Sequence, residues 1–241
     1  MTRKTAIALA LSACVVVSAG ARAAALQVTP VRVDVTAPAA AATLSLHNIG
    51  GRPATLQLRL FKWTQVKGHE ALTPTNAVVA SPPAAQLAGN QTYVVRVVRT
   101  TRRPLNAPEN YRLVIDQLPQ PHHQAGASIR LLLRYSIPVF FSTRDARDPE
   151  VAWHIINHAG HITAEAINKG GRELRISNLT VQDHAGHFVR FGKGLQGYVL
   201  PHSEMAFTAR QRNNGFSVSG AARIAAVTDA APVHANASIS R

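Results

Sequence analysis

Cysteine is almost absent from this 241-residue chain, in which Cys14 is the only one. Residues 1–25 are typical of a cleavable signal peptide. A basic start, Met1-Thr-Arg-Lys4, precedes a mostly apolar stretch that ends in the overlapping small-x-small cleavage signals Ala21-Arg-Ala23 and Ala23-Ala-Ala25. The mature chain then has no cysteine, so it enters a compartment that permits disulfides but forms none. Its hydrophobic cores alone must stabilise it.

The chain has no long apolar run that would serve as a membrane anchor. The apolar part of the leader is too short and too poorly flanked for a membrane span. Leu11-Ser-Ala-Cys14 resembles a lipoprotein processing box, but the apolar run continues past it through Val17. We therefore expect an exported protein whose mature form has no membrane span.

Acidic residues are scarce, with 12 Asp and Glu against 26 Lys and Arg. Without the leader, 23 basic and 12 acidic residues leave a formal charge of +11. Such a balance often indicates nucleic-acid binding. An exported protein rarely meets nucleic acid, however, and these arginines are scattered along the chain, so we expect no nucleic-acid partner. Acidic partners or the carboxylate ends of other chains fit better, and a merely solubilising charge is the alternative.

Catalytic signatures and aromatic residues are also missing or few. The chain contains no Gly-x-Ser-x-Gly elbow, phosphate loop or dinucleotide fingerprint, and its acidic residues lie singly in apparent linkers and turns. We therefore predict that it is not an enzyme. Aromatic residues make up only 5% of the chain, and Trp63 and Trp153 lie in apolar strand patterns. This argues against the alternative of a carbohydrate-binding or adhesin sandwich.

Eleven histidines raise the alternative of a periplasmic copper- or zinc-binding β-sandwich, because imidazole suits both metals. Three groups stand out in the sequence: His154, His158 and His161; Asp183, His184 and His187; and His122 with His123. The first two groups fall at apparent turns, where histidine is simply soluble, and no Cys or Met accompanies them. We predict no metal and no cofactor.

No segment of the mature chain shows a convincing helical stripe. Short alternating runs separated by Gly, Pro, Asn and Asp recur instead, which predicts an all-β fold. One such run is Leu56, Leu58 and Leu60, after which the apolar positions shift to Phe61 and Trp63. This change of parity predicts a β-bulge.

The spacing of the strands predicts two β domains in tandem. Seven or so strands in residues 26–142 are typical of a β-sandwich. Residues 143–150 are charged and contain a proline, which favours a domain linker. A second set of strands follows in 151–229, and the small, polar residues 230–241 predict a flexible tail.

Residues 129–141 form the longest strand-like run. Its alternate positions make one apolar row, comprising Ile129, Leu131, Leu133, Tyr135, Ile137 and Val139. Pro138 within this run favours an edge strand or a strand end. Because an apolar edge strand tends to pair with other chains, strand addition to a partner is one hypothesis, and a buried core strand is the alternative.

Several segments together resemble one known family. They are Val28-Thr-Pro-Val-Arg-Val33, Leu44-Ser-Leu-His-Asn48, Pro82-Pro83, the Glu109 to Pro119 segment, Leu133-Arg-Tyr-Ser-Ile-Pro-Val-Phe140, Asn168-Lys-Gly170 and Gly197-Tyr-Val-Leu-Pro201. In this order the chain resembles the periplasmic pilus (fimbrial) assembly chaperones of the chaperone–usher pathway, especially the archaic branch. The resemblance implies two tandem immunoglobulin-like domains arranged as a boomerang. It also implies a periplasmic, cofactor-free chaperone whose partners are pilin subunits and an outer-membrane usher, with a self-capping dimer as a further form.

The resemblance also implies how such a protein holds a pilin. The last strand of the first domain is donated to the pilin's incomplete sheet, and Ile129, Leu131 and Leu133 fall on the donor positions, after a loop from Pro119 to Gly126. Basic residues bind the pilin's terminal carboxylate, and Arg32 falls on the first-strand position that does so. The second basic position is Pro138 here, so we expect Arg112 to replace it, with Arg134 as a third candidate.

Overall fold

The computed structural model describes residues 26–119, 131–158, 160–211, 216–217, 222–229 and 232–240. Eighteen β-strands lie in these ranges, which contain no helix and hence no helix long and apolar enough to cross a membrane. The predicted signal peptide lies outside the described residues. The prediction of an all-β chain is confirmed.

Ten strands build the first domain as two facing sheets. They are β1 (Leu26–Thr29), β2 (Val33–Thr36), β3 (Ala41–Asn48), β4 (Ala54–Val66), β5 (His69–Pro74), β6 (Val78–Ser81), β7 (Ala84–Leu87), β8 (Thr92–Arg99), β9 (Glu109–Leu118) and β10 (Arg134–Ser142). One sheet has the order β1-β3-β8-β6 and the other β2-β10-β9-β4-β5, with β7 also paired to β4. Alternate residues such as Leu46, Leu56, Val95 and Leu113 point inwards and are fully buried between the sheets.

The predicted bulge in β4 is wrong. β4 pairs with β9 from Thr55 to Lys62 without any shift of register. The apolar positions change parity because the buried face changes along the strand. Leu60 faces the core of the first domain, whereas Trp63 lies on the opposite face and is covered by the second domain.

Eight strands build the second domain. They are β11 (Val151–His158), β12 (His161–Asn168), β13 (Leu174–Gln182), β14 (Phe188–Arg190), β15 (Leu195–Val199), β16 (Ser203–Arg210), β17 (Ala222–Val227) and β18 (Val233–Ser240). Their order is β14-β13-β17-β18-β11-β12-β16, with β15 also paired to β13. They enclose a core that includes Trp153, Ile155, Ile176 and Val181.

The C-terminal segment is a strand, so the prediction of a flexible tail from residue 230 is wrong for Val233–Ser240. Its first part pairs with β17 and its last part with β11, which joins the two halves of the domain. The sequence does not predict this strand, because its side chains are small, as at the buried Ala237, and form no large apolar row. Main-chain hydrogen bonding on both sides stabilises a strand that has little apolar area of its own.

The predicted linker, residues 143–150, contains no strand and is fixed to the second domain. The amides of Lys169 and Gly171 donate to the carbonyls of Glu150 and Arg147, at 2.8 and 3.1 Å. A side chain at Gly170 would not fit, since its Cβ would lie 2.2 Å from the carbonyl oxygen of Asp148. The connection between the domains is therefore held by close backbone contacts.

Both domains contain the same corner, with the sequence Asn-x-Gly-Gly-Arg at residues 48–52 and 168–172. The Asn48 side chain donates to the carbonyl of Arg52 and accepts from the amide of Gly50. Asn168 makes the same two bonds, four and two residues further along its own turn. Each asparagine also donates to a strand-end carbonyl across the domain, that of Leu87 or of Val199. The two corners therefore have the same hydrogen-bonding scheme.

Candidate functional site

The first half of β10 has an open edge. β10 pairs with β9 along its length, from Arg134 to Phe141. On its other side β2 pairs with it only from Val139 onwards. Within the described residues, the stretch from Arg134 to Pro138 therefore has a strand on one side only. The expected edge strand is found here, and Pro138, which has no N–H to donate, lies where the open stretch ends.

The three predicted strand-donor residues differ in their surroundings. Leu131, just before β10, is 68% exposed, and its neighbour Leu132 is 44% exposed. Leu133 is half-buried against the core of its own domain, and its carbonyl accepts from the amide of Gln117 at 2.9 Å. Ile129 and the loop residues 120–126 lie outside the described residues. The apolar chain leading into the open edge is thus accessible at Leu131 and partly covered at Leu133.

Arg134 is held within its own sheet. It donates to the buried carboxylate of Asp116 on β9, to which Arg59 of β4 also donates at 2.6 Å. Burial acts to raise the pKa of Asp116, but the hydrogen bonds from the two arginines outweigh it and lower that pKa. The side chain of Arg134 is nevertheless 69% exposed. This row of charges fastens the start of β10 to its neighbours.

Arg112 faces the second domain from β9, where its register partner on β10 is Pro138. Its guanidinium stacks 3.7 Å from the ring centroid of Trp63 and lies 5.6 Å from that of Tyr198. Its Nη2 is 3.5 Å from a carboxylate oxygen of Glu70. Burial lowers the pKa of Arg112, although an arginine stays charged at physiological pH. Arg112 is thus a preoriented cation whose acidic partner among the described residues is Glu70.

A cavity of about 420 Å³ opens between the domains beside Arg112. The first domain lines it with residues of β5 and β9, and the second with residues of β15 and β16. The polar and aromatic lining side chains are His69, Glu70, Arg112, Gln196 and Tyr198. Its size and its polar wall, in which Arg112 lies beside Glu70, suit a chain end or a small polar group.

Arg32 lies between β1 and β2 and is surrounded by carboxylates of its own chain. Its Nε donates to both oxygens of Asp34, at 3.0 and 2.8 Å. Its Nη1 and Nη2 donate to Asp229 and Glu173 of the second domain. Burial acts to lower the pKa of Arg32, but the charges of Glu173 and Asp34 outweigh it and raise that pKa. The predicted anchor Arg32 is therefore already engaged by three acidic groups.

Direct contacts between the domains form part of the cleft in which this cavity lies. Trp63 and Phe140 of the first domain form a buried aromatic cluster with Tyr198 and Leu200 of the second. The side chain of Gln65 donates to the carbonyl of Tyr198 at 2.7 Å and accepts from the amide of Leu200 at 2.8 Å. These contacts fix the wall on which Arg112 lies.

Among the described residues, metal-binding side chains meet only in pairs, such as Nδ1 of His187 and a carboxylate oxygen of Asp183 at 3.1 Å. His158 and His161 face each other across β11 and β12, whereas His154 pairs with Glu165. Asp183 accepts from the amides of Ala185 and His187 and so closes a turn. Among the residues that the structure describes, no three His, Cys, Asp or Glu side chains are close enough to hold a metal ion. His122 and His123 lie outside them, and the metal-binding alternative gains no support from the described part of the chain.

Sequence reasoning missed the acidic partners of the two inter-domain arginines. Glu70 could have been found, because the turn at Lys67 and Gly68 predicts a hairpin that brings β5 beside β4. Glu173 and Asp229 lie 141 and 197 positions after Arg32 in the sequence. No local pattern connects residues so far apart, so only the arrangement of the domains reveals this cluster.

Comparison with known proteins gives a family. Residues 25–144 match the family model described as "Pili and flagellar-assembly chaperone, PapD N-terminal domain". This range covers all ten strands of the first domain, including the open edge of β10. No curated protein sequence matched the chain.

Solved structures with the same fold cover both domains. The chain is similar to a chain of the CsuC–CsuE chaperone–tip adhesion subunit pre-assembly complex from archaic chaperone-usher Csu pili of Acinetobacter baumannii (22% identity, TM-score 0.69, 90% of this chain and 100% of that one). It is also similar to a chain of the Salmonella enterica SafA pilin complex with the SafB chaperone (18%, 0.62, 88% and 95%) and to the E. coli chaperone DraB (17%, 0.58, 91% and 98%). At these identities the likeness shows the common two-domain fold. With the family match of its first domain, the chain belongs to the pili and flagellar-assembly chaperones.

Proposed function

We propose that this protein is a pilus assembly chaperone of the archaic type that binds a pilin subunit by donating the open edge of β10. The observation that carries the proposal is the single-sided pairing of Arg134–Pro138, preceded by the exposed Leu131. An incoming strand can complete the sheet on this side through main-chain hydrogen bonds, while leucine side chains enter the subunit. Each large apolar side chain that becomes fully buried contributes roughly 1.5–3 kcal/mol.

The extent of the donated strand follows from the neighbours of β10. β2 covers the strand from Val139 onwards, and Pro138 cannot donate a hydrogen bond. A subunit strand would therefore pair along the open stretch and stop at Pro138. Leu131 and Leu133 would contribute side chains to the subunit, together with Ile129, and Leu133 would first have to leave its contact with the chaperone's own core.

We further propose that Arg112 receives the subunit's terminal carboxylate. Its guanidinium is fixed on Trp63, and Glu70 is its acidic neighbour at 3.5 Å. The adjoining cavity leaves room for a chain end. Arg112 is the register partner of Pro138, so the carboxylate would bind where the donated edge ends. Arg134 is a weaker candidate because Asp116 already holds it, and Arg32 faces three carboxylates.

Location and partners follow from the same proposal. The protein would work in the periplasm after loss of residues 1–25 and would deliver the subunit to an outer-membrane usher, without catalysis. The solved complexes that it resembles include a pilin and a tip adhesion subunit bound to their own chaperones. When no subunit is present, the same open edge offers a route to a self-capping dimer.

Hydrogen exchange tests strand donation. A denatured pilin subunit encoded beside the chaperone gene would be diluted into the folded chaperone, and a soluble one-to-one complex is expected. Main-chain amides of residues 131–137, Pro138 having none, should exchange more slowly in the complex than in the free chaperone. Amides of β14, on the far edge of the second domain, serve as the internal control. A stable complex without added protection in 131–137 would refute donation by β10.

A further inference from the structure

We infer that Arg32 is a positioning residue that ties the two domains together and so holds the cleft open in the right geometry, and that it does not receive the subunit carboxylate. This inference rests on the proposed chaperone function. Arg32 comes from the crossing between β1 and β2 in the first domain. Two of its three carboxylate partners, Glu173 and Asp229, belong to the second domain.

All three nitrogens of the Arg32 guanidinium already donate to a carboxylate. Nε donates to both oxygens of Asp34, and the two terminal nitrogens donate to Asp229 and Glu173. An arginine binds a further carboxylate in the bidentate geometry only where two neighbouring N–H groups on one edge of the guanidinium are free. On this guanidinium each nitrogen faces an acidic group of the same chain.

The local charge also disfavours a further anion. One guanidinium stands among three carboxylates, so the cluster carries a formal charge of −2 when all are ionised. Glu173 is buried. Because the protein interior has a lower dielectric constant than water, negative charges repel each other more strongly there. A subunit carboxylate would therefore have to approach Arg32 against this negative charge. Arg112, with one acidic neighbour at 3.5 Å, offers a less crowded cation.

Arg32 and its carboxylates lie close enough to the aromatic cluster between the domains to affect subunit binding. The Arg32 guanidinium lies 5.0 Å from the ring centroid of Phe140, which belongs to the aromatic cluster between the domains. Tyr198 of that cluster packs beside Arg112. Loosening the acidic contacts of Arg32 would therefore let the second domain move relative to the cation and to the open edge of β10.

The decisive comparison is between Arg32→Ala and the double variant Glu173→Gln with Asp229→Asn. The double variant keeps Arg32 and removes two of the three negative charges around it. If Arg32 is a tether, both variants should capture the pilin subunit encoded beside the chaperone gene at least fivefold less well than the wild type. Capture by Arg32→Lys should lie between that of the wild type and that of Arg32→Ala. Capture by the double variant equal to or better than that of the wild type would overturn the inference.

The distance between the domains gives an independent measurement. Because Cys14 of the leader is the only cysteine, spin labels can be attached at Val94→Cys and His184→Cys, two exposed positions in different domains. We expect one narrow distance distribution in the parent protein and a broader one in both tether variants, whereas Arg134→Ala should leave it unchanged. An unchanged distribution in Arg32→Ala would also overturn the inference.

As a control for correct folding, the thermal denaturation of each variant is measured. If the double variant does not fold, Asp229→Asn alone replaces it, because Asp229 is only partly buried. The distance measurement requires no subunit. It therefore still tests the tether if the wild type fails to capture a pilin, a failure that would count against the proposed function alone.

Discussion

Replacing Leu131 should separate subunit binding from the stability of the chaperone. In the free protein this side chain is 68% exposed, so its loss removes little native packing and should change the free energy of unfolding by less than about 0.5 kcal/mol. Full burial in a subunit would contribute roughly 1.5–3 kcal/mol. Since about 1.4 kcal/mol corresponds to a factor of ten, Leu131→Ala should weaken capture roughly tenfold to a hundredfold. Leu131→Asp should abolish it, because a carboxylate would have to enter an apolar groove.

The assay is the amount of soluble complex formed when denatured pilin is diluted into increasing concentrations of chaperone, with melting of each variant measured in parallel. Val94→Asp is the matched control, since Val94 is a 59% exposed aliphatic residue on the other sheet. Leu133→Asp is less informative, because Leu133 packs against the chaperone's own core and its replacement would also destabilise the fold. Normal capture by Leu131→Asp would refute strand donation at this residue.

Three further predictions concern the cleft, the linker and acid stability. Arg112→Ala should weaken capture of a pilin with a free C-terminal carboxylate but not of one with an amidated C terminus; an equal loss for both would argue against a carboxylate site. Gly170→Ala should lower the free energy of unfolding by about 1–3 kcal/mol because its Cβ would overlap the linker backbone. Gly160→Ala, at φ +78° with open space around it, should cost only about 1 kcal/mol, and the reverse order on chemical denaturation would contradict the packing argument. Hydrogen bonds from Arg99 hold the pKa of Glu109 below its ordinary value, so the stability it provides is present above about pH 4.3 and lost on acidification through the folded-state pKa. When the pH is lowered from about 5 to about 3, the free energy of unfolding should therefore fall more for the wild type than for Glu109→Gln. Parallel pH profiles of the two proteins in chemical denaturation would refute this contribution.

Short-range pattern was sufficient for much of the fold. Alternation and turn residues predict seven or so of the ten strands of the first domain, most strands of the second, the charged connection at 143–150 and the edge character of β10, because each depends on neighbours in sequence. The change of parity before Trp63 wrongly predicts a bulge, because local sequence does not reveal that the second domain buries this side chain. The C-terminal strand β18 was missed because its small residues gain their stability from partners on both sides.

The candidate site divides in the same way. The apolar row containing Leu131 is visible in the sequence, and the exposure of Leu131 itself agrees with donation to a partner. The surroundings of the arginines are not visible there. Arg112 rests on an aromatic ring of another strand and faces a cavity built by both domains, whereas Arg32 meets acidic groups far along the chain. Their different environments depend on how the domains pack.

The corner that the chain uses twice has an evolutionary meaning. An Asn-x-Gly-Gly-Arg turn with the same hydrogen-bonding scheme in each half points to one ancestral module that was copied and fused. The last strand of each half shows a second likeness. It pairs in parallel with another strand over only its final residues, β10 with β2 from Val139 to Ser142 and β18 with β11 from Ser238 to Ser240. In both copies, therefore, the sheet closes on this side only near the end of the last strand.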